Sequence, residues 1–505
     1  MNKLALISVS DKRNIVEFAN QLLQLNYDIL ATGNTAKLLS ENGIKCVEVS
    51  DYTSFPEIFS GRVKTLNPKI FGGILLRRTN VNDLNEAKEN NIYPIDIVCV
   101  NLYPFPQVVN RSDLTHEEKI ENIDIGGPSL IRAAAKNYEY VSVLTNPDQY
   151  SPFIEQLKNG KVSLQTRKEL AYKAFAYTSY YDTLIANYLE EKFNLPKNEL
   201  RINYRSSINL RYGENPHQSA SLFGDFTDYF EIMHGRELSY NNILDLTSAV
   251  DIIADLEKNA CVIVKHTNPC GAAIGSEPSE AFESALSGDP VSAFGGIVAF
   301  NEEVDQRTAE KLNEIFLEIV CAPAFTDSAL RILQVKRNRR IIRIKKYPSS
   351  DDFQLRNVPG GILVQTKDNS RIDEINLKLV TDREITDEEL SDIKFAWVIC
   401  KHTKSNAIVY AKNKKVLGVG AGQTSRIDSA KIGAEKAKQF GHNLNGAVAA
   451  SDAFFPFPDG ILEIVSHGVT AVIQPGGSVK DEEVIKAANE KNISMLFTGI
   501  RNFKH

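Results

Sequence analysis

Residues 262–271, VIVKHTNPCG, are the stretch that decides the fold of the C-terminal part of this chain. The apolar run 261–264 predicts a buried strand, and Lys265 and His266 follow at its end. The sequence NPCG at 268–271 predicts a turn that breaks any regular element. Because ligands of open α/β sheets bind just beyond the carboxyl ends of strands, Lys265 and His266 are candidate functional groups. An isolated Lys-His pair is nevertheless a weak motif, and its ordinary explanation is two solvated side chains.

Length and composition indicate a globular protein of several domains. The chain has 505 residues, of which 43% are hydrophobic and 24% charged, and its net charge is −6. That charge gives no reason to expect nucleic acid or an anionic membrane as a partner. With no signal peptide and no stretch long enough to span a membrane, we expect a cytoplasmic protein. The cysteines form no CxxC pair and suit reduced thiols better than disulfides or zinc: Cys46, Cys99, Cys261, Cys270, Cys321 and Cys400.

The N-terminal residues repeat a strand–turn–helix pattern. The predicted elements are a strand at 4–9, an N-cap at Ser10-Asp11, a helix with its buried face at 15, 18, 19 and 22, a strand at 27–30, a turn at 32–35 and a helix at 36–40. Two such units in succession predict parallel strands with crossover helices. Both helices then begin at one edge of the sheet, where their free backbone N–H groups attract phosphate. No GxGxxG spacing is present, so a dinucleotide is not predicted.

Two later segments of this part carry charged side chains. The segment 61–68, GRVKTLNP, is basic and rich in turn residues, and Arg62 and Lys64 share one side of it if it is extended. The segment DIGGP at 124–128 opens a helix with Lys136 in its last turn. Without further context, Lys136 is explained as a cation at a helix C-terminus, and Arg62 and Lys64 as part of a solvated strand face.

The strings of this part resemble a known enzyme domain. SVSDK, TGNTAKLL, SGRVKTLNP, CVNLYPF and DIGGPSLIRAAAKN, in this order, are similar to the inosine monophosphate (IMP) cyclohydrolase domain of the bifunctional purine biosynthesis family. The resemblance covers residues 1–195 and implies a methylglyoxal-synthase-like fold, a parallel sheet flanked by helices. The family's phosphate turn resembles SGGT, whereas this chain has TGNT at 32–35. Asparagine caps helices and tolerates left-handed backbone, so the turn can be kept.

The resemblance implies a site that closes a ring by dehydration, without a metal or redox cofactor. Lys64 is implied beside the developing oxyanion, and Asp124 as the carboxylate that draws the amide proton. Lys136 and Tyr103 are implied as acids for the departing oxygen, which replaces the ordinary explanation of Lys136. The implied phosphate contacts are Ser10, Lys12, Thr32, Gly33, Asn34, Thr35, Arg62, Lys64 and Thr65, and the implied base and ring contacts are Asn101, Tyr103, Asp124 and Ile125.

The second half of the chain contains an internal repeat. The charged segment 190–201 predicts a domain boundary. Beyond it, CVIVKHTNPCGAAIG (261–275) and WVICKHTKSNAIVYA (397–411) each read as an apolar strand, Lys-His-Thr and another apolar strand. The repeat predicts that residues 200–505 hold two similar αβ subdomains. The similarity of the two copies leaves open which Lys-His pair is catalytic. The basic run 336–346 alternates isoleucine with arginine and lysine, which favours an exposed strand over an RNA-binding segment.

Residues 200–505 resemble the second domain of the same family. LRYGENPHQ, VKHTNPCGAA, SAFGGIVAF, CKHTKSNAIVYAKN, GVGAGQTSRID, SDAFFPFPDG, QPGGSVKD and TGIRNFKH are similar to the formyltransferase that acts on aminoimidazole carboxamide ribotide (AICAR). Its halves resemble the cytidine deaminase fold. The deaminase zinc signature HxE…PCxxC is absent, and no catalytic metal is predicted. The family implies 10-formyltetrahydrofolate as cosubstrate and a homodimer with the transferase site at its interface.

The resemblance selects the first Lys-His pair for catalysis. His266 is the predicted general base for the AICAR amine, and Lys265 is predicted to keep it neutral and to steady the developing oxyanion. Neighbouring residues of a strand point to opposite faces, so either the strand has ended by Lys265 or Lys265 acts from behind. The second pair, Lys401-His402, is predicted to be structural. Implied nucleotide contacts are Arg211, Tyr212, Gly295, Glu318, Asn406, Arg426, Phe454, Asp459 and Arg501, and implied folate contacts are Ile427, Gly476 and Gly477.

The sequence thus predicts an α/β protein with a methylglyoxal-synthase-like domain at 1–195 and a duplicated cytidine-deaminase-like domain at 200–505. The predicted function is formyl transfer to AICAR followed by ring closure to IMP. Two alternatives are a nucleotide or phosphate sensor without activity and an enzyme in which only the cyclisation is active. The sensor alternative leaves Lys64, Lys136 and His266 unexplained together.

Overall fold

The first apolar run of the chain forms the central strand of a parallel sheet in the computed structural model, which describes residues 3–204, 207–348 and 353–505. The chain divides into two units, Met1–Arg205 (unit 1) and Ser206–His505 (unit 2). All six cysteines are free thiols, and four of them are buried. Within the described ranges no helix has both the length and the apolar character needed to cross a membrane.

In the described part of unit 1, five strands form a parallel sheet in the order β3-β2-β1-β4-β5. The strands are β1 (Lys3–Val9), β2 (Tyr27–Ala31), β3 (Val47–Glu48), β4 (Ile95–Asn101) and β5 (Ser142–Leu144). Since β1 pairs with β2 on one side and β4 on the other, the carboxyl ends of these three strands meet at one edge. That edge carries the site described below.

Helices cover the sheet of unit 1. They are α1 (Ile15–Gln24), α2 (Gly33–Glu41), α3 (Val49–Thr53), α4 (Pro68–Leu75), α5 (Val81–Glu89), α6 (Phe105–Val108), α7 (His116–Glu121), α8 (Gly126–Lys136), α9 (Tyr150–Lys158) and α10 (Leu164–Lys192), with 3-10 turns at Phe59–Gly61 and Pro147–Gln149. The buried face of α1 consists of Ile15, Phe18, Ala19 and Leu22, as predicted from their spacing.

Two local predictions in unit 1 are wrong. The N-cap of α1 is Asn14 rather than Ser10-Asp11, because the Asp11 carboxylate binds the guanidinium of Arg13 at 2.7 Å instead. The segment 61–68 is not extended, since a 3-10 turn ends at Gly61 and Arg62 keeps a helical backbone with φ −68° and ψ −23°.

Unit 2 is built on one large mixed sheet. Its strands, with those of two separate hairpins, are β6 (Ser207–Leu210), β7 (Ala220–Phe223), β8 (Phe230–His234), β9 (Ala260–Lys265), β10 (Asn268–Ile274), β11 (Ile297–Phe300), β12 (Ile319–Ala322), β13 (Arg340–Ile344), β14 (Phe353–Val358), β15 (Gly361–Thr366), β16 (Lys378–Leu379), β17 (Ile408–Lys412), β18 (Lys415–Gly420), β19 (Val448–Ser451), β20 (Ala471–Gln474) and β21 (Ser494–Phe497). Within the described residues the sheet order is β16-β21-β20-β19-β17-β18-β10-β9-β11-β12-β13-β8, and β6-β7 and β14-β15 pair only within themselves.

The helices of unit 2 complete two similar halves. They are α11 (Phe226–Tyr229), α12 (Tyr240–Asp255), α13 (Pro278–Gly288), α14 (Pro290–Ala293), α15 (Gln306–Asn313), α16 (Asp327–Gln334), α17 (Asp387–Lys401), α18 (Arg426–Gln439), α19 (Pro458–Ser466) and α20 (Asp481–Glu490), with a 3-10 turn at Ile372–Glu374. Each half has a helix, an antiparallel hairpin, and three further strands joined by helices. In the first half these are α12, β9-β10, β11, β12 and β13, and in the second α17, β17-β18, β19, β20 and β21.

The halves are equivalent, but not in the register of the two Lys-His-Thr strings. WVIC belongs to the helix α17 rather than to a strand, so Lys401 ends a helix whereas Lys265 ends the strand β9. The position equivalent to Lys265 is Lys412, at the end of β17. Helix α17 is buried on all sides from Phe395 to Lys401, and such a run cannot be distinguished from a strand by periodicity.

Two more predictions for unit 2 are wrong. The sequence after Thr267 does not break regular structure, because Asn268–Ile274 continues at once as β10, with its irregular register between Pro269 and Gly271. A bulge tolerates the missing N–H of proline. The basic run forms β13, which is largely buried rather than exposed, and the buried Arg340 binds the carboxylate of Glu318.

Candidate functional sites

A pocket of about 440 Å³ lies at the carboxyl ends of β1, β2 and β4 in unit 1. It brings together thirteen of the fourteen residues predicted for this domain. These are Ser10, Lys12, Thr32, Gly33, Asn34, Thr35, Arg62, Lys64, Thr65, Asn101, Tyr103, Asp124 and Ile125. Segments far apart in the sequence therefore converge on one concave surface, as the parallel topology requires.

The loop after β1 is held in place by Asn101 at the end of β4. The Asn101 Oδ1 accepts the backbone N–H groups of Ser10 at 2.6 Å and Asp11 at 2.8 Å, and its Nδ2 donates to the Asp11 carbonyl at 3.1 Å. The amide of Asn101 thus orients this loop, and the base contact implied by the resemblance stays a prediction.

Lys12 and the start of α2 form the basic end of the pocket. The Lys12 Nζ donates to the Thr35 Oγ1 at 2.6 Å and to the Val9 carbonyl. Burial, with a smaller contribution from the charge of Lys64, lowers the pKa of Lys12. No side chain caps the N-terminus of α2, which begins at Gly33, so its dipole faces the pocket. A helix N-terminus beside two lysines suits a phosphate group.

Lys64, Tyr103 and Asp124 form the reactive part of the pocket. The Lys64 Nζ lies 3.3 Å from the Tyr103 hydroxyl. The Asp124 Oδ1 accepts the N–H of Gly127 at 2.7 Å, and the Asp124 N–H donates to the Tyr181 hydroxyl at 2.9 Å. Burial raises the pKa of Asp124, although the Gly127 hydrogen bond and the charge of Lys64 oppose it. A carboxylate with a raised pKa is a better proton acceptor than an ordinary one.

Two acidic residues of the pocket escaped the sequence analysis. Glu57 and Glu121 both line it, and the Glu121 carboxylate lies 3.7 Å from the Arg62 guanidinium in an exposed ion pair. Neither glutamate stands in a motif, so only the folded positions identify them.

Lys136 is not part of this pocket. It ends the eleven-residue helix α8, whose first residue, Gly126, does line the pocket. At 1.5 Å per residue the two ends are roughly 15 Å apart. Lys136 instead lines a separate open concavity together with Phe71, Leu75, Tyr172 and Phe175. Lys136 and Lys64 of one chain therefore line different concavities.

In unit 2, His266 lies in a two-residue turn between β9 and β10. His266 and Thr267 have φ angles of +52° and +63°, which is the type I′ geometry that matches the twist of a tight hairpin. That backbone costs roughly 1–3 kcal/mol for each residue that is not glycine. The turn leaves the His266 side chain exposed. Lys265 is still the last residue of β9 and pairs with Asn268, so the expectation that the strand has ended by Lys265 is wrong, and His266 is the first residue beyond the strand.

The turn is held by contacts from both sides. The carboxylate of Asp245 on α12 accepts the N–H of His266 at 3.2 Å and that of Thr267 at 2.6 Å. The Lys265 Nζ donates to the carbonyl of Phe294 at 2.8 Å, next to Gly295. Lys265 is thereby tied to the loop before β11. Sequence reasoning missed Asp245, which has no motif around it.

The concavity beside His266 is small. It has a volume of about 260 Å³ and contains Lys265 and His266, but none of the other residues predicted for the transferase site. Its remaining walls come from β10, β18, α18 and the junction of α13 with α14, and they include an ion pair of Asp289 at that junction with Lys436 of α18 at 2.8 Å.

A buried polar cluster follows next to the turn. The Asn268 Oδ1 accepts the N–H of Lys404 at 2.9 Å, which joins the turn to the segment that carries Asn406. The Asn406 Oδ1 accepts from the Arg426 guanidinium at 2.8 Å. Arg426 also lies 3.1 Å from Asp452, a fully buried carboxylate that the sequence analysis missed. The predicted Asn406 and Arg426 are thus brought into contact.

The predicted residues at the ends of β19, β20 and β21 are joined by backbone contacts. The Arg426 Nε donates to the carbonyl of Phe454 at 3.3 Å. The Gly499 N–H donates to the Pro475 carbonyl at 3.0 Å, which places the Arg501 segment beside Gly476 and Gly477. Asp459 stands in the first turn of α19, and Ile427 in the first turn of α18. These loops form one continuous edge of the second half of the sheet.

Three predicted residues lie elsewhere. Arg211 and Tyr212 are on the loop after β6, where the guanidinium donates to the tyrosine hydroxyl at 2.9 Å. That loop is tied to α12, since the Asn241 Nδ2 donates to the carbonyl of Glu214 at 3.1 Å. The Glu318 carboxylate is bound by Arg340, and the Glu318 N–H donates to the carbonyl of Gly296 at 3.0 Å.

The second Lys-His pair is buried in an ion cluster. The Asp255 Oδ2 lies 2.8 Å from the Lys401 Nζ and 2.7 Å from the His402 Nε2. Burial opposes ionisation of Asp255, but the hydrogen bonds and charges of His402 and Lys401 outweigh it and lower the pKa of Asp255 to about 2. Burial lowers the pKa of His402. The pair joins the ends of α12 and α17, which supports the structural role predicted for it.

Comparisons with known proteins agree with this description. The family model of the AICARFT/IMPCHase bienzyme matches residues 134–436, and that of the MGS-like domain matches residues 14–129. The chain is 49% identical over its full length to the bifunctional purine biosynthesis protein PurH of Persephonella marina, and covers 100% of it. It is 50% identical to the PurH protein of Thermoanaerobacter sp. and 48% identical to that of Chlorobium phaeobacteroides, and covers 100% and 99% of them, respectively.

Proposed function

The chain belongs to the AICARFT/IMPCHase bienzyme family, whose members are AICAR formyltransferases and IMP cyclohydrolases of purine biosynthesis, and we propose which of its residues carry each step. Unit 1 closes the ring of formyl-AICAR, and unit 2 transfers the formyl group to AICAR. The observation that carries the proposal is the convergence of Lys12, Lys64, Tyr103 and Asp124 with an uncapped helix N-terminus in one pocket.

The proposed cyclisation uses this pocket as follows. The start of α2 and Lys12 bind the phosphate of formyl-AICAR. The carboxamide nitrogen attacks the formyl carbon, Asp124 accepts the amide proton, and Lys64 stabilises the oxyanion that forms. The former formyl oxygen then leaves as water after protonation. The Tyr103 hydroxyl, 3.3 Å from the Lys64 Nζ, is placed to relay that proton.

The proposed formyl transfer uses the turn of unit 2. The amine of AICAR attacks the formyl carbon of 10-formyltetrahydrofolate while neutral His266 accepts the amine proton. The bond from the formyl carbon to the folate N10 breaks, and N10 takes up a proton, which gives formyl-AICAR and tetrahydrofolate. Lys265 stabilises the oxyanion from the strand end. Asn406 and Arg426 hold the nucleotide, and the edge with Gly476 and Gly477 holds the folate.

We propose that a second copy of the chain completes both sites. The concavity at His266, about 260 Å³, is below the roughly 300–1,000 Å³ of sites that enclose a small ligand, and the reaction needs a nucleotide and a folate together. The hairpin β14-β15 is exposed over its whole length, and an isolated hairpin with apolar side chains needs a partner surface. Its exposed apolar residues are Phe353, Leu355, Val358, Ile362, Leu363 and Val364.

The homodimer also gives Lys136 a role. Because Lys136 lies outside the pocket of its own unit, we propose that it enters the cyclohydrolase pocket of the other copy as an acid. It lies beside exposed aromatic side chains, Tyr172 and Phe175, which suit burial in an interface. Six free thiols accord with a reducing cytoplasm as the place of action.

One assay tests both activities. The purified chain is mixed with AICAR and 10-formyltetrahydrofolate, and the absorbances of tetrahydrofolate and inosinate are followed. We expect both products. Absence of tetrahydrofolate would overturn the proposal for unit 2, whereas tetrahydrofolate without inosinate would overturn the proposal for unit 1.

A further inference from the structure

The turn that carries His266 has an unusual composition for its geometry. Type I′ turns need positive φ at both central residues and favour asparagine or aspartate followed by glycine. Here the residues are His266 and Thr267, and a β-branched residue such as threonine is rarely found in that backbone. Some contact outside the turn must hold it in this geometry.

The contact is the Asp245 carboxylate. One oxygen accepts the N–H of His266 and the other that of Thr267, at 3.2 Å and 2.6 Å. Within the turn, the Thr267 hydroxyl and the Asn268 Nδ2 both donate to the His266 carbonyl, at 2.7 Å and 3.2 Å. Both N–H groups of the turn are thus directed at a single carboxylate on α12.

The second half of unit 2 contains the same arrangement without a histidine. Asn413 and Lys414 have φ angles of +53° and +49°, and the Asp392 carboxylate on α17 accepts their N–H groups at 2.8 Å and 2.6 Å. Asp245 and Asp392 are each the sixth residue of their helices. The duplication therefore supplies a matched pair of clamped turns, of which only one presents an imidazole.

We propose that Asp245 is a positioning residue for formyl transfer, which holds the His266 turn in the type I′ geometry that directs the imidazole to the AICAR amine. This inference rests on the proposed function of His266. Both oxygens of Asp245 are engaged by backbone N–H groups of the turn, which suits a residue that positions the turn.

A positioning role of Asp245 can be distinguished from a chemical role by a second substitution that removes the backbone strain of the turn. Glycine adopts positive φ without penalty, so Thr267→Gly lets the turn keep its geometry when the clamp is removed. Asp245→Asn offers one acceptor oxygen, and its amide NH₂ faces the second N–H. The double variant D245N/T267G therefore restores a positioning function but cannot restore an acid or base.

The experiment measures kcat and KM for formyl transfer in the wild type, D245N, T267G, the double variant and D392N, with cyclisation of formyl-AICAR as internal control. We expect D245N to lower the kcat of formyl transfer at least tenfold. Its KM values and its rate of cyclisation should stay within twofold of those of the wild type. We expect T267G and D392N to stay within threefold of the wild type, and the double variant to regain at least half of the lost kcat.

Several outcomes would overturn the clamp. D245N could transfer the formyl group at the wild-type rate, or the double variant could be as slow as D245N. D392N could also lose as much of its transfer kcat as D245N does. If D245N does not fold, the double variant decides alone, since a folded but inactive double variant overturns the clamp and an active one supports it. No transfer by the wild-type chain overturns the proposed function and the clamp together, whereas wild-type transfer in D245N overturns the clamp alone.

Discussion

His266 and Asn413 occupy the same position in the two halves of unit 2. Each is the first residue of a turn with positive φ, and each follows a lysine that donates to a backbone carbonyl, Lys265 at 2.8 Å and Lys412 at 2.7 Å. An imidazole can accept a proton near neutral pH, whereas an amide cannot. The duplicated scaffold is therefore capable of base catalysis at one of its two turns.

His266→Ala is expected to lower formyl transfer by about 10²–10⁴, the usual contribution of a general base. Cyclisation should stay within twofold, because unit 1 holds its own pocket. The matched control is Asn413→Ala, which removes a side chain from the equivalent turn and should leave transfer unchanged. Both activities are measured by absorbance. Loss of both in His266→Ala would indicate misfolding, and retained transfer would refute the assignment of the base.

The pH dependence of cyclisation is expected to report on Asp124. Burial raises the pKa of Asp124 above 3.8, so its base form is lost as the pH falls through that raised value. The rate of ring closure at saturating formyl-AICAR should therefore decline on the acid side at a pH above 3.8. Asp124→Asn should lower the rate by about 10²–10⁴ and abolish this acid limb. An unchanged acid limb in the variant would assign it to another group.

Asp255→Asn is expected to destabilise unit 2 by roughly 3–5 kcal/mol at pH 7, because it leaves Lys401 and His402 buried without their carboxylate. The pKa of Asp255 is about 2 in the folded chain against 3.8 ordinarily, so its stabilisation is present above pH 4 and is lost as the pH falls toward 2. The difference in free energy of unfolding between wild type and variant should narrow by roughly 2 kcal/mol over that range.

Urea unfolding followed by circular dichroism measures this difference at each pH. The control is Asp373→Asn, which breaks an exposed ion pair with Lys394 and should cost at most about 1 kcal/mol. A pH-independent difference for Asp255→Asn would show that the pKa of Asp255 is the same in the folded and unfolded chains, which would refute the lowered pKa.

Mixed dimers test whether Lys136 acts across the interface. Lys64→Ala should lower cyclisation by about 10²–10³ as the oxyanion partner is lost, and Lys136→Ala should also be slow. If each pocket takes Lys64 from one copy and Lys136 from the other, a heterodimer of the two variants has one intact pocket. Random pairing then restores about a quarter of the wild-type activity.

The cyclisation activity of the co-expressed pair is compared with that of the two variants purified separately and then mixed under conditions in which dimers do not exchange subunits. Activity of the co-expressed pair equal to the separate variants would place Lys136 in a role within its own chain. The control for loss of a positive charge is Lys37→Ala. Lys37 is an exposed residue of α2 outside the pocket, so this variant should be fully active in cyclisation.

Local chemistry in the sequence was sufficient for much of unit 1. The spacing of Ile15, Phe18, Ala19 and Leu22 predicted the buried face of α1, because an amphipathic surface helix carries its own period. The edge at which the pocket lies followed from two strand–turn–helix units in succession. Asp11 was predicted less well, because its carboxylate accepts from the backbone N–H and the guanidinium of Arg13, and α1 begins only after Asn14.

Unit 2 was less accessible because its elements are buried on every side. The segment around Trp397 reads equally well as strand or helix, and the repeated letters Lys-His-Thr concealed the true equivalence of Lys265 with Lys412. Asp245 could not be found from the sequence, because an isolated aspartate on a helix becomes informative only when the turn it contacts is in place.

The two halves of unit 2 have separate apolar cores on one face of the sheet but share a single core on the other, where residues such as Val262 and Val409 belong to one cluster. If the chain were divided between β13 and α17, each product would carry only part of the shared core. The valine and isoleucine side chains that now pack against the other half would then be exposed to solvent. The two halves of unit 2 therefore form one compact unit and depend on each other for the burial of that core.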